Sequence, residues 1–100
     1  MKASKLSGAV RAIKVTWDGE DVPVTYRLGA INSKLGEWIE EHGNDKGSLH
    51  GMVERLVESW GIEDEDGEEI PVTQVLTEID PPTPFLTAVV KSIFQDANPN

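Results

Sequence analysis

The fold is decided by residues 12–27, which read AIKVTWDGEDVPVTYR. Apolar side chains take every second position on each side of a central Asp-Gly pair: Ile13, Val15 and Trp17 before it, and Val22, Val24 and Tyr26 after it. Two alternating runs around a short loop containing Asp-Gly predict a β-hairpin. We place its strands at about 12–17 and 22–27 and its loop at 18–21.

One face of this hairpin is apolar and has to be covered, because a two-stranded hairpin is marginal alone. Pro23 cannot donate a ladder hydrogen bond. The second strand is therefore predicted to be an edge strand, or Pro23 to lie at its outward side or start.

The rest of the chain shows helical periodicity. Apolar residues at helical spacing predict helices at about 31–42, 48–60, 74–79 and 84–95. The first helix is predicted to have Asn32 or Ser33 as its N-cap and Gly43 as a left-handed C-cap. The N-caps predicted for the next three helices are Ser48, Thr73 and Thr83. The predicted fold class is α+β, with the hairpin packed against three to four short helices. Residues 1–100 are expected to form a single small domain with frayed ends at about 1–8 and 96–100.

Charge and composition exclude several classes. The net charge is −9, divided into +3 over residues 1–34 (six basic, three acidic) and −12 over residues 35–100 (three basic, fifteen acidic). Such an acidic body argues against nucleic-acid binding, which needs clustered Lys and Arg. There is no cysteine, no secretory signal is visible, and no apolar run is long enough to span a membrane. We therefore expect a soluble protein.

The acidic stretch between Trp60 and Thr73 is the main candidate for chemistry. Asp64-x-Asp66-Gly67 resembles the middle of a calcium loop, but that register puts Ile62 and Thr73 where carboxylates are required. We expect a solvated turn, reversed at Gly67, and no metal. Its carboxylates are too exposed for acid–base catalysis.

Other residues give no stronger signal. His42 and His50 lack the partners of a metal quartet, and no nucleophile elbow or phosphate loop is present. We predict neither an enzyme nor a cofactor. Trp17, Trp38 and Trp60 each lie on an apolar face, which favours core packing over an exposed interface.

Residues 56–73, LVESWGIEDEDGEEIPVT, resemble a pattern of the tail assembly chaperones of long-tailed bacteriophages. In that pattern a helix ends in Trp, an acidic Asp/Glu-Gly turn follows, and an aliphatic-Pro-aliphatic-Thr segment opens another helix. The predicted strand pair, central helices and C-terminal helix agree over about residues 12–95. The residues of this junction are Trp60, Gly61, Gly67 and Thr73.

The resemblance implies an assembly factor that binds the tape measure protein and helps recruit tail tube subunits. Its expected place is the cytoplasm of the bacterial host, and it should be absent from the mature virion. In many relatives a ribosomal frameshift appends a second domain. The family has no catalytic residues.

An amphipathic client helix needs an apolar groove. The candidate client-binding residues lie on two predicted helix faces: Leu49, Met52, Val53 and Leu56, and Leu86, Val90 and Phe94. If these faces are core, the groove lies elsewhere. The charge division also suggests head-to-tail homo-oligomers. The alternatives are a small structural tail or head–tail connector protein of the virion, and an acidic inhibitor or DNA mimic.

Overall fold

The computed structural model describes residues 1–45 and 47–98. Its elements, in chain order, are α1 (Ser4–Ser7), β1 (Val10–Trp17), β2 (Glu20–Arg27), a 3-10 turn (Leu28–Ala30), α2 (Ser33–His42), α3 (Ser48–Leu56), β3 (Val57–Trp60), α4 (Val72–Gln74), a π-helical turn (Val75–Ile79) and α5 (Thr83–Ala97). The three strands form one antiparallel sheet in the order β1-β2-β3. The α+β class predicted from the sequence is confirmed.

The predicted hairpin is present, with a tighter turn. Asp18 and Gly19 alone form the loop, and both have positive φ (51° and 79°), as a two-residue turn between twisted strands requires. Glu20 and Asp21, predicted in the loop, extend β2 and pair with Trp17 and Thr16. The strands are therefore longer than predicted.

The prediction of one helix over 48–60 is wrong in its last four residues. α3 ends at Leu56, and Val57–Trp60 forms β3 along β2. A register shift opposite Thr25 and Tyr26 leaves Glu58 unpaired as a bulge, which brings both Val57 and Trp60 into the core. The bulged strand therefore gives Val57 and Trp60 the three-residue spacing of buried positions that is also typical of a helix.

Arg27 terminates α3. Its Nη1 donates to the carbonyl oxygens of Glu54 (3.3 Å), Arg55 (3.3 Å) and Val57 (3.1 Å). These carbonyls have no partner within the helix, and a cation there also complements the helix dipole. The chain can therefore leave the helix at Leu56 without losing backbone hydrogen bonds.

β3 makes β2 the central strand, so the first alternative for Pro23, an edge strand, is wrong. The second is confirmed, because Pro23 is exposed on the outward side of β2. Pro23 is tolerated because β2–β3 pairing begins one residue later, at Val24 opposite Trp60. The Pro23 carbonyl accepts a hydrogen bond from the Gly61 N–H at 2.8 Å. A Cβ on Gly61 would lie 2.5 Å from Pro23 Cγ, so this contact requires glycine.

The predicted caps of α2 and α3 are partly confirmed. The Asn32 side chain accepts the Leu35 N–H at 3.1 Å and caps α2. Gly43 is right-handed (φ −58°), so its predicted left-handed cap is wrong. The left-handed glycine is Gly47 (φ 79°), which takes the N-cap position of α3. Ser48 is therefore inside the helix, and its hydroxyl donates to the Gly43 carbonyl.

The two C-terminal caps are also wrong. Helical structure starts at the buried residue Val72, and the Pro71 carbonyl accepts the Val75 N–H at 3.0 Å, so Thr73 lies inside α4. Thr83 is the first residue of α5, and Pro82 precedes it; in the described chain no side chain caps this end. The Pro82 carbonyl accepts the Phe85 and Leu86 N–H groups instead. α5 continues to Ala97, two residues past its predicted end.

The core lies between the sheet and the helices. The predicted sheet face is confirmed: Val15, Val24 and Tyr26 are buried, and Ile13, Trp17 and Val22 pack against them. The other buried residues are Leu35, Val53, Leu56, Val57, Trp60, Val72, Val75, Leu76, Phe85, Leu86, Val89 and Ile93.

A polar contact fixes the end of α5 to the sheet. The hydroxyl of Tyr26, a fully buried residue, donates to Asp96 Oδ2 at 2.6 Å. Arg11, opposite Tyr26 in the hairpin, donates to the Asp96 carbonyl at 3.2 Å. Burial, and then the hydrogen bond to the Asp96 carboxylate, raise the pKa of Tyr26 above its ordinary value.

The N-terminal segment contacts the turn that follows β2. Ser4–Ser7 forms a helical turn that packs on the Leu28–Ala30 turn. A Cβ on Gly29 would lie 2.4 Å from the Ser7 carbonyl oxygen, so the two segments are in close contact. At the other end, the expected fraying over 96–100 falls partly on residues 99–100, which lie outside the described residues.

Candidate functional site

An apolar groove opens on the surface where the hairpin turn meets the start of α5. Its volume is about 210 Å³, and its lining is Trp17, Val22, Ile62, Val75, Ile79, Pro81, Pro82 and Phe85. All eight side chains are apolar or aromatic with at most one polar atom, which is the lining expected of a site that receives an apolar group.

Aromatic packing forms the floor of this groove. The ring of Trp17 meets Phe85 edge to face at 5.5 Å between centroids, and Trp60 lies 5.8 Å from Phe85 on the core side. The tight turn at Asp18-Gly19 ends the hairpin directly after Trp17, so this indole is only partly covered. The floor is therefore continuous with the core and held rigidly.

The π-helical turn forms one wall. The Asp80 N–H bonds to the Val75 carbonyl at 3.0 Å, an i→i−5 bond that widens the last turn. Val75 is buried, whereas Ile79 is 53% exposed, so Ile79 does not belong to the buried face of this helix. Such π turns are often found at functional sites.

Exposed acidic residues adjoin the groove lining in the chain. Asp18 follows Trp17, Glu63 follows Ile62, and Glu78 and Asp80 flank Ile79; these four residues are the carboxylate border. Residues 61–90 contain eight acidic side chains and no Lys or Arg. An apolar centre with a negative border favours a ligand that combines apolar and cationic groups.

The acidic turn beside the groove is an ordered loop. The Ile70 N–H bonds to the Ile62 carbonyl at 2.8 Å, and Glu63 and Glu69 pair above it. Asp64 Oδ1 accepts the N–H groups of Asp66 (2.9 Å) and Glu68 (3.0 Å). Gly67 has φ 83°, as predicted for the residue that reverses the chain.

The Asp64 carboxylate therefore stabilises the backbone of its own turn by accepting these two hydrogen bonds. Over residues 1–45 and 47–98 the structure contains no group of three or more His, Cys or acidic side chains arranged to hold a metal ion.

The predicted client-binding residues lie elsewhere. α3 packs directly against α5, so the two predicted faces are turned toward the interior. Val53, Leu56 and Leu86 are buried in the core. The other four residues are partly exposed but pack against that core: Leu49, Met52, Val90 and Phe94.

The other residues singled out from the sequence have structural contacts. Trp60 is buried, and Gly61 fits closely against Pro23. Trp38 lies between α2 and α3, where Arg55 covers its ring at 5.0 Å, so it is partly exposed and outside the main core. His50 reaches Asp80 at 3.1 Å.

Sequence reasoning did not identify the groove. The sequence pattern predicts Trp17 and Val22 on the apolar face of the hairpin and gives no functional role to Phe85, Pro81 or Pro82. The available signal was an aromatic residue directly beside the hairpin turn together with an apolar residue, Ile79, directly before Asp80-Pro81-Pro82. These features are separated by some sixty residues in the chain, so only the fold brings them together.

Comparison with known proteins gives no further assignment. No protein-family model, curated protein or solved structure matches this chain. Within the described residues, no helix has the length and apolar character needed to cross a membrane.

Proposed function

We propose that this protein is a tail assembly chaperone that holds an apolar, basic segment of a phage tape measure protein in the groove between Trp17 and Ile79. The observation that carries the proposal is the apolar groove with an exposed Ile79 and with exposed acidic residues next to its lining in the chain. The resemblance of residues 56–73 to phage tail assembly chaperones supplies the identity of the client. Tail tube subunits would be recruited to the held client.

The physical reason concerns the state of the client before assembly. A long helical client exposes apolar side chains that would otherwise associate with each other, and burying one such side chain fully is worth about 1.5–3 kcal/mol. A groove of about 210 Å³ accepts one large side chain or two small ones. The carboxylate border attracts Lys or Arg that flank this side chain and speeds the encounter.

Client recognition takes place in the groove, and α3 and the part of α5 after Phe85 support it. Val53, Leu56 and Leu86 are buried in the core. Substituting them would therefore reduce client binding only by unfolding the protein. A substitution at Ile79 should weaken client binding without unfolding the protein, because its side chain is 53% exposed.

The test is co-expression with the tape measure protein encoded in the same genome, followed by affinity capture. We expect Ile79→Lys to weaken capture at least tenfold, since it places a charge in an apolar site and a cation beside a cationic client. The matched control is Thr87→Lys, an exposed position of α5 outside the groove lining. Equal loss in both variants, or no loss in either, would contradict the proposal.

The border is tested separately by neutralising carboxylates. Glu63→Gln with Glu78→Gln changes the net charge as much as Glu37→Gln with Glu40→Gln on α2. Only the first pair should weaken capture, and the difference should shrink at high salt. The protein should also be absent from purified virions by mass spectrometry; finding it there in stoichiometric amounts would favour the structural component.

A further inference from the structure

The N-terminal segment of the chain is the chemical complement of the groove. Residues 1–17 contain four basic side chains and no acidic one. Within this segment Met1 and Leu6 are 96% and 65% exposed, and the exposed Lys2 and Lys5 lie beside them in the chain. Among the described residues, the large apolar side chains with the greatest exposure are Met1, Leu6, Val10 and Ile79.

The two surfaces lie at opposite ends of the molecule's hairpin. At one end, the carbonyl of Ala9, which precedes β1, accepts a hydrogen bond from the Gly29 N–H. At the other end, Trp17 lines the groove. β1 has eight residues, which at a rise of roughly 3.4 Å per residue separates its ends by roughly 24 Å. The segment is held at its own end because Ser4–Ser7 packs on Leu28–Ala30. A chain in this conformation cannot fill its own groove.

We infer that residues 1–7 of one copy dock into the Trp17–Ile79 groove of a second copy, so that the protein associates with itself head to tail. Leu6 or Met1 enters the groove, and Lys2 and Lys5 meet the carboxylates of its border. Such a contact joins two different surfaces and leaves one of each free at the ends of the assembly. The assembly therefore continues as an open array or closes as a ring.

Self-docking of this kind also regulates the groove. An incoming client must displace the segment of the neighbouring copy, so client binding and self-association are mutually exclusive. This consequence rests on the proposed function, whereas self-docking itself does not.

The experiment uses two full-length variants that each lose one of the two surfaces. Ile79→Lys places a charge in the groove and leaves the N-terminal segment unchanged. Lys2→Glu with Lys5→Glu reverses the charge of the N-terminal segment and leaves the groove unchanged. Sedimentation velocity should show wild-type protein forming species larger than the 11.0 kDa monomer at low salt, and each variant alone remaining monomeric.

The decisive sample is the equimolar mixture of the two variants. Head-to-tail docking predicts a particle of twice the monomer mass and no larger, because only one groove and one segment remain. Lys34→Glu with Lys91→Glu, which makes the same charge change at exposed positions elsewhere, should associate like wild type. Circular dichroism establishes that each variant is folded.

Three results would overturn the inference: wild-type protein that is monomeric at every concentration and salt, a mixture that stays monomeric, or dimers in either variant alone. The outcome is independent of the proposed function. Capture of the tape measure protein by the Lys2→Glu, Lys5→Glu variant tests client binding without self-docking, so either conclusion can fail while the other stands.

Discussion

Removing the Tyr26 hydroxyl tests how firmly α5 is fixed to the sheet. The hydroxyl donates to Asp96 Oδ2 at 2.6 Å, and a hydrogen bond to a charged group typically contributes about 1.5–3 kcal/mol. Asp96 remains 36% exposed on its side chain, so water can replace the hydroxyl in Tyr26→Phe. We therefore expect the lower end, a loss of about 1.5 kcal/mol in the free energy of unfolding, or roughly 6–12 °C in Tm.

The assay is urea unfolding followed by Trp fluorescence, arranged as a double-mutant cycle with Asp96→Ala. The cycle should give a coupling energy of about 1 kcal/mol, beyond the 0.3–0.5 kcal/mol by which independent sites depart from additivity. A change below about 0.5 kcal/mol in Tyr26→Phe, or additive losses in the double variant, would refute this account of the contact.

The same contact predicts a pH dependence. The pKa of Tyr26 is raised in the folded state, so the unfolded chain loses the phenol proton first as the pH rises past 10. The stabilisation is complete below the unfolded pKa and is lost as the pH rises toward the folded one. Tyr26 is the sole tyrosine of the chain, so its titration can be followed directly by absorbance. The stability of Tyr26→Phe should decline less above pH 10 than that of wild type; equal declines would contradict the assignment.

Three further substitutions test the junction after β3, each by denaturant unfolding. Gly61→Ala places a Cβ 2.5 Å from Pro23 Cγ and should cost about 1–3 kcal/mol, much of it recovered by adding Pro23→Ala; additive costs would contradict the contact. Trp60→Phe should cost about 1–2 kcal/mol, less than the 3–5 kcal/mol typical of truncating a buried aromatic residue to Ala, because the indole N–H has no hydrogen-bond partner among the described residues; a loss above about 3 kcal/mol would show that this N–H is satisfied in solution. Gly67→Ala should cost about 1–2 kcal/mol because φ is 83° there, and an unchanged midpoint would mean that the turn adopts another conformation.

The hairpin could be predicted from sequence because its signals are local. Strict alternation and Asp18-Gly19 specify two strands and a turn within sixteen residues, but the two-residue loop pairs Trp17 with Glu20, which the prediction had placed in the loop. The exposed acidic turn with Gly67 was predictable for the same reason.

β3 could not be predicted in this way. Val53, Leu56, Val57 and Trp60 have the spacing of a helix face, and the bulge at Glu58 reproduces that spacing in a strand. Whether residues 57–60 remain helical depends on two distant groups, the free edge of β2 and the Arg27 guanidinium. Similarly, Thr73 and Thr83 are good capping residues, but Val72 and Pro82 set the helix starts through packing and backbone bonds.

The candidate site shows the same limit more strongly. The sequence shows that the lining residues are apolar. Which apolar residues stay exposed depends on how α5 packs across the sheet. Leu86 and Ile79 have similar side chains, yet Leu86 is buried and Ile79 is not. Ile79 is the last residue of the π-helical turn, and no spacing pattern in the sequence indicates such a turn.

The central claim is that client binds in the groove, and the three Trp indoles allow it to be tested directly. Trp17 lines the groove, whereas Trp38 lies between α2 and α3 under Arg55. In a ¹⁵N spectrum titrated with tape measure protein, the account predicts a large shift or broadening of the Trp17 indole resonance and an unchanged Trp38 resonance. Saturable binding that leaves Trp17 unchanged, or that perturbs Trp38 instead, would contradict it.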